Sequence, residues 1–305
     1  MIYTLTTNPA IDLNVTTGTL STDRVNRTRD AVYTPNGKGL NVSFALGHYG
    51  VDSQILGFFG GFSGDYIVRE AARRCPVRPV TIDGITRVNV FVTTPEGEYK
   101  LPNAGAAVCR EKQVEMLDLL REAGDLSCLV VSGSLPPGVD AGYYDELVDV
   151  VRARGAELVL DISHPHLAEL VARRPLLIKP NDEEVAAIFG VDVGDEGGAL
   201  AALSELHRRG AQNVLLTLGG EGAYFSDGAH VWHASAAKVK VLSTACAGDA
   251  TLASFLSVWL EDRGAVERAL IRAMATGANV AMSAGLGDFS LVDDLARQVE
   301  VTRLV

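Results

Sequence analysis

The segment Ser243-Thr244-Ala245-Cys246-Ala247-Gly248-Asp249-Ala250 sets one carboxylate in a run of small residues. Directly after it, Leu252, Phe255, Leu256, Trp259 and Leu260 recur at the spacing of one helix face. The run therefore predicts a helix N-terminus, where free backbone N–H groups and the positive end of the dipole favour an anion. A carboxylate beside an anion site is what phosphoryl transfer to an alcohol needs. The amides hold charge on the transferred group, and Asp249 takes the hydroxyl proton. Asp near a helix start is also an ordinary cap, so the segment alone leaves both readings open.

Other polar positions cluster at glycine turns and strand ends. Pro35-Asn36-Gly37-Lys38-Gly39-Leu40-Asn41-Val42 is a glycine-flanked lysine entering a helix, without the spacing of a Walker A loop. Its glycines permit close approach of a ligand, Lys38 suits a phosphate, and Asn41 suits sugar hydroxyls. Asp12, after a strand and the Asn8-Pro9-Ala10 turn, suits two sugar hydroxyls or stabilises its own turn. Arg87 and Asn89 open a predicted hairpin. Ser134 lies in the Ser132–Gly138 loop that closes a buried strand, where open α/β sheets bind ligands. Lys179-Pro180-Asn181-Asp182-Glu183-Glu184 closes another strand. Asn181 and Glu184 there have the spacing of a capping box, and equally of a pair ordering water around Mg²⁺. Thr217-Leu218-Gly219-Gly220-Glu221-Gly222 reads as a nucleotide loop or a tight turn. His164 and His166 read as a surface loop, because no further ligand cluster accompanies them.

Composition bounds the partners. The chain has 305 residues, 47% apolar and 21% charged, with 31 glycines, which is globular and ample for a large core. A net charge of −11 argues against a nucleic-acid surface. No run approaches ~18 consecutive apolar residues, and the start has no basic leader region, so neither a membrane span nor a signal peptide is expected. The four cysteines, Cys75, Cys109, Cys128 and Cys246, form no C-x-x-C pair. They read as free thiols of a reducing compartment, hence a cytoplasmic protein.

These residues must be positioned by the elements between them. Apolar β-type runs at 2–5, 54–59, 129–132, 157–162, 176–179 and 214–218 alternate with helical patterns at 113–122, 143–154, 183–189 and 198–209. That rhythm predicts a mostly parallel sheet covered by helices on both faces. Residues 13–34 and 88–101 break the rhythm with strand character and no helix to pack on. They are expected to form a small sheet that projects over the carboxyl ends of the main strands as a lid.

The order of the motifs adds more than any one of them. T-L-T-x-N-P-A-x-D, N-G-K-G-L-N-V, G-F-F-G-G-F-S-G-D, T-R-V-N-V, S-G-S-L-P-P-G, K-P-N-D-E-E, T-L-G-G-E-G and A-G-D-A, taken together, resemble the ribokinase-like (PfkB) sugar kinases over essentially the whole chain. The resemblance implies one three-layer α/β/α domain over 1–305 with a β-sheet lid. It implies ATP and Mg²⁺ as cofactors, a sugar phosphate as substrate, no nucleic-acid or membrane partner, and a homodimer formed through the lid. Within the family, MIYTLTTNPAID, LGFFGGFSGDYI and VEVTRL favour members acting on fructose 1-phosphate at C6, with those acting on tagatose 6-phosphate or fructose 6-phosphate behind them.

Carried over by motif, Asp249 is the catalytic base, with Gly248, Ala247 and Cys246 in the anion-hole stretch. Asp12, Gly37, Asn41 and Asn89 match sugar positions. Lys38, Arg87, Ser134 and Arg27 match candidates for the phosphate already on the sugar. Lys179, Asn181, Thr217, Gly219 and Gly222 match nucleotide positions, Met274 and Ala278 the adenine pocket, and Glu184 a magnesium contact through water. The chain departs from the family pattern at Cys246 and Asn36, each replacing a glycine. It departs also at Lys100-Leu101 and around Asn103-Ala104-Gly105-Ala106. Those departures motivate the other reading, a sugar-phosphate or nucleotide sensor that performs no chemistry.

Overall fold

A computed structural model describes residues 1–283 and 285–305. Its main sheet has ten strands. Seven are parallel: β1 (Ile2–Thr6), β4 (Ser53–Phe59), β5 (Val77–Thr81), β8 (Cys128–Ser132), β9 (Glu157–Asp161), β10 (Leu177–Ile178) and β11 (Val214–Thr217). Antiparallel β12 (Ala223–Ser226), β13 (Val231–Ala234) and β14 (Val301–Arg303) extend one edge. The order is β14-β13-β12-β11-β10-β9-β8-β1-β4-β5. The second sheet, β3-β2-β6-β7, joins β2 (Ala10–Thr16), β3 (Arg29–Asn36), β6 (Arg87–Thr94) and β7 (Gly97–Leu101).

The helices are α1 (Lys38–His48), α2 (Gly61–Ala71), α3 (Arg110–Glu122), α4 (Gly142–Ala153), α5 (Leu167–Leu170), α6 (Asp182–Glu184, continued by a π-helical turn Val185–Phe189), α7 (Glu196–Arg209), α8 (Ala247–Trp259), α9 (Val266–Ala281) and α10 (Val292–Ala296). Strand periodicity decides where they pack, because successive side chains of a strand face opposite ways. Along β8, Leu129 and Val131 share a core with Leu117 of α3, Leu147 of α4 and Leu203 of α7. Cys128 and Val130 face the other core, with Leu46 of α1, Phe255 of α8 and Leu270 of α9. The central strands are therefore buried on both sides, which is why they read as unbroken apolar runs. From Asp249 to Trp259, α8 is buried all round, so it lies in the interior and its N-terminus opens among the strand ends.

The lid is longer than expected: it begins at Ala10 and Arg87 rather than residues 13 and 88, and its β3 ends at Asn36. Asp12 and Asn89 therefore stand in the lid itself, in register on β2 and β6. A helix does support it, contrary to the sequence expectation. Ile67 of α2 packs with Ile11 of β2, Leu40 and Phe59, and Tyr66 Oη donates to the Tyr33 carbonyl at 2.9 Å. The hairpin turn is Pro95-Glu96, with Thr94 facing Gly97. Among the described residues no helix is long and apolar enough to cross a membrane.

Candidate active site

A cleft of about 350 Å³ lies between the lid and the carboxyl ends of the central strands. Gly37 at the cap of α1 and Lys38 and Asn41 within it reach it from one side, Arg87 and Asn89 from the lid, Lys179 and Asn181 from beyond β10. Cys246, Gly248 and Asp249 enter at the start of α8.

The first backbone bond of α8 is from Ala250 N to the Cys246 carbonyl at 3.0 Å. The N–H groups of Gly248 and Asp249 precede it and are open to an anion. Asp249 sits in this first turn, 6% exposed, and its Oδ2 accepts from Asn41 Nδ2 at 2.8 Å. Burial, then the neighbouring charge of Asp161, push its carboxyl up to about 7, against the opposing pull of Lys38, Asn41 and Lys179. A carboxyl poised there is matched to taking a proton near neutral pH. Cys246 caps the helix in the left-handed region, φ +64°. Its Sγ lies 3.3 Å from Asn41 Nδ2. Burial, then Asp249 and Asp12, raise the thiol well above its ordinary value, so it stays protonated.

Asp161, which sequence reasoning passed over as the end of a strand, has a fully buried carboxylate. Its Oδ1 is 3.1 Å from Lys179 Nζ and 3.4 Å from Lys38 Nζ. Burial acts to raise its carboxyl, but Lys179 and Lys38 outweigh it and hold it below the ordinary carboxylate range. Asp161 in turn raises Lys38, against burial. The sequence did hold a signal: a carboxylate closing the apolar run Leu158-Val159-Leu160 at the end where such sheets bind ligands.

On the lid side, the direct hydrogen-bond partners of the charges are neutral, while Arg87 and Asp12 attract each other at longer range. Asp12 accepts from Asn89 Nδ2 at 2.8 Å and, through a shorter contact, from Asn36 Nδ2. Burial raises its carboxyl, with both amides opposing. Asn36 Oδ1 also accepts from Asn41 Nδ2 at 2.9 Å, so the residue that replaces a glycine ties the lid to α1. Arg87 donates to the carbonyls of Asn8 at 2.9 Å and Asn103 at 3.3 Å. Burial depresses its guanidinium. Gly37, at φ +154°, presses so close to β1 that an added Cβ would lie 2.5 Å from Thr6 Cγ2.

The predicted capping box is present: Asn181 Oδ1 accepts from Glu184 N at 2.7 Å, and Glu184 Oε2 accepts from Asn181 N at 3.0 Å. Both residues also line the cleft, as do Thr217 and Thr244, the latter unanticipated. Glu184 Oε1 accepts from Ser163 Oγ. This set of carboxylate and amide oxygens, already hydrogen-bonded, fits a hard cation that keeps its waters.

Other expected residues lie apart from the cleft. Arg27 is exposed on the loop between β2 and β3. Ser134 is exposed, and its carbonyl accepts from Thr7 Oγ1 at 2.7 Å. Met274 is 7% exposed, in the core beneath α8, with half-buried Ala278 against the same cluster. Gly219 and Gly222 form the turn after β11. A Cβ on Gly222 would meet the Ala234 carbonyl at 2.0 Å, so strand packing alone requires that glycine.

Residues 5–293 match the family described as pfkB family carbohydrate kinase. The chain is 46% identical to a D-tagatose-1-phosphate kinase of Klebsiella oxytoca over all of both proteins. It is 31% identical to a 1-phosphofructokinase of Bacillus subtilis, again over all of both. The fold matches phosphofructokinase-2 from Escherichia coli in complex with substrates and products, with a TM-score of 0.88 and 26% identity over 97% of this chain and 98% of that one.

Proposed function

The chain belongs to the pfkB family of carbohydrate kinases, and from that premise we propose that it transfers the γ-phosphoryl group of ATP to the C6 hydroxyl of a ketohexose 1-phosphate. D-Tagatose 1-phosphate is the preferred acceptor and D-fructose 1-phosphate the second. The observation that carries the reading is Asp249, a buried carboxyl raised to about 7 beside the open amides of a helix N-terminus. A pure binder has no use for that combination.

The order of substrates rests on the relatives, at 46% and 31% identity over the whole chain. The two sugars share the C1 phosphate and the C6 hydroxyl and differ only in configuration at C4. The fructose 1-phosphate expected from the sequence motifs therefore keeps the same reaction. In tagatose 6-phosphate the hydroxyl that would react is already esterified, so it is the weaker candidate.

In this mechanism ionised Asp249 accepts the C6 hydroxyl proton as the oxygen attacks the γ-phosphorus and the bond to the β-phosphate oxygen breaks, leaving ADP. The N–H groups of Gly248 and Asp249, with Lys179, face the charge that spreads over the transferred group. Lys38 and Arg87 read the phosphate that does not react, and Asp12 with Asn89 and Asn41 reads hydroxyls. Asn181 and Glu184 would hold Mg²⁺ through water, and the ion would supply neutralisation of the nucleotide phosphates.

A coupled ADP-release assay across tagatose 1-phosphate, fructose 1-phosphate, tagatose 6-phosphate and fructose 6-phosphate tests the reading. The expected result is turnover with both 1-phosphates, highest kcat/KM with tagatose 1-phosphate. Turnover confined to the 6-phosphates overturns the substrate class, and binding without turnover establishes a sensor.

The lid supplies the partner surface. Val32 and Tyr33 on edge strand β3 are 54% and 53% exposed, and Tyr99 and Leu101 on the opposite edge, β7, 45% and 55%. Open edges with apolar side chains invite a second sheet, and in this reading the second sheet is the lid of another copy. Light scattering at micromolar concentration reports a dimer, and a monomer there overturns this contact. The four thiols, all unpaired, agree with a cytoplasmic kinase.

A further inference from the structure

Strands β8 and β9 end side by side, Ser132 in register with Asp161. Every other buried position of β9 is apolar. A carboxylate without exposure is costly to desolvate unless paired, and this one is shared. One oxygen faces two ammonium groups that arrive from opposite walls. Lys38 comes from α1, on the sugar side, and Lys179 from beyond β10, on the nucleotide side. Lys179 then lies over the start of α8: a Cβ on Gly248 would be 3.5 Å from its Nζ. Lysine is a mobile point charge on a long stem, and two of them close together repel. A carboxylate beneath both removes the repulsion and fixes where they point.

We infer that Asp161 is a positioning residue for the proposed transfer, a buried carboxylate that tethers Lys38 and Lys179 together at the N-terminus of α8 beside Asp249. The inference rests on the kinase reading for its consequence but on the ion-pair geometry for its substance. The two lysines differ in how firmly they are held. Lys179 is 6% exposed and nearer, whereas Lys38 is 34% exposed and farther from the shared oxygen. Lys179 stays on the tether, and Lys38 is free to shift its contact to an incoming phosphate. The charged and titratable groups around Asp249 are Asp161 from β9, Lys38 from α1, Lys179 from beyond β10 and the Cys246 thiol of its own cap. Glu184 acts on Lys38, and Asp12 on Cys246.

Replacing Asp161→Asn keeps the shape and removes the charge. Asp161 holds the Asp249 carboxyl up, and the lysines it neutralises pull that carboxyl down. Its loss therefore moves the acid limb of kcat/KM to lower pH, by about one unit, with kcat lowered about 10–100-fold as the lysines wander. A limb that stays in place in a folded Asp161→Asn protein overturns the inference, because a merely structural ion pair costs stability and leaves the limb alone. Asp161→Glu restores the charge a methylene away. The expected result is a wild-type limb with a several-fold lower kcat. A limb displaced as in Asp161→Asn, or a wild-type kcat, overturns the tether even if Asp161→Asn does not fold. Carbon-13 NMR titration of the Asp249 carboxyl reads the same displacement without turnover. A wild type inactive on every sugar phosphate then defeats the kinase reading, and the tether is decided by that titration.

Discussion

The floor of the cleft and its lid hold charge in opposite ways. On the floor, Asp161 pairs with both Lys38 and Lys179, and all three charges act on the protonation of Asp249. On the lid, Asp12 is held by the amides of Asn36 and Asn89, and Arg87 by two backbone carbonyls. Ion pairs under low dielectric are coupled, whereas amides and carbonyls solvate one charge at a time. Floor substitutions should therefore alter chemistry and its pH dependence. Lid substitutions should alter what binds and leave the pH dependence in place.

The largest expected effect is on the floor. Asp249→Asn removes the proton acceptor and keeps the hydrogen bond from Asn41, so kcat falls about 10²–10⁴-fold while sugar-phosphate binding by calorimetry largely survives. Near-normal turnover would remove Asp249 from the mechanism. In the wild type the base is active only when ionised, so kcat/KM must fall as pH drops through about 7, where burial and Asp161 place this carboxyl. An acid limb near the ordinary aspartate range, close to 4, would mean that substrate-free Asp249 is not the group being titrated.

The lid sharpens the comparison with a smaller effect of another kind. Arg87→Ala loses a charge-assisted contact to the phosphate that does not react, worth about 10–100-fold in KM for the 1-phosphates at an ordinary cost for such a bond. Unphosphorylated fructose should be little affected, and the acid limb should not move. Equal weakening of both sugars would show that Arg87 supports the lid through Asn8 and Asn103 instead of reading phosphate. Lys38→Ala, at the boundary, should do both: raise KM for the 1-phosphates and move the acid limb upward, since Lys38 opposes the shift of Asp249.

The same contrast governs what could be read in advance. The parallel sheet was legible because strands buried on both faces, such as Leu129–Ser132, leave an unbroken apolar run. Asp249, Gly37, Lys38, Asn41, Arg87 and Lys179 were legible because each stands in a short motif, and all of them line the cleft. Asp161 was not, because its partners are Lys38 and Lys179 on other elements, and nothing local marks a strand-end aspartate as their counter-ion. Met274 and Ala278, placed by resemblance without a motif, pack toward the core below α8. The edge strands β12 and β13 were missed because Ala223–Ser226 and Val231–Ala234 are short and broken by Ser226 and His233, unlike the apolar run of equally short β11.

The smallest effect expected lies where floor and lid meet, at Cys246. A non-glycine residue in the left-handed region costs about 1–2 kcal/mol, and Cys246 holds φ +64° at the cap of the helix that carries Asp249. Its thiol contact is with Asn41, whose amide group also meets Asn36 Oδ1 and Asp249 Oδ2. Two amide protons cannot serve three acceptors fully, so the thiol contact is the one most easily given up. Cys246→Gly relieves the strain and adds back about 0.5–1 kcal/mol of unfolded-chain entropy, for a net gain of at most about 1.5 kcal/mol in urea unfolding. Asn41 keeps its bonds to both sides, so kcat should stay within about threefold. A tenfold or larger fall in kcat without loss of stability would show that the thiol shapes the acceptor position, and would move Cys246 from the scaffold of the floor into its chemistry.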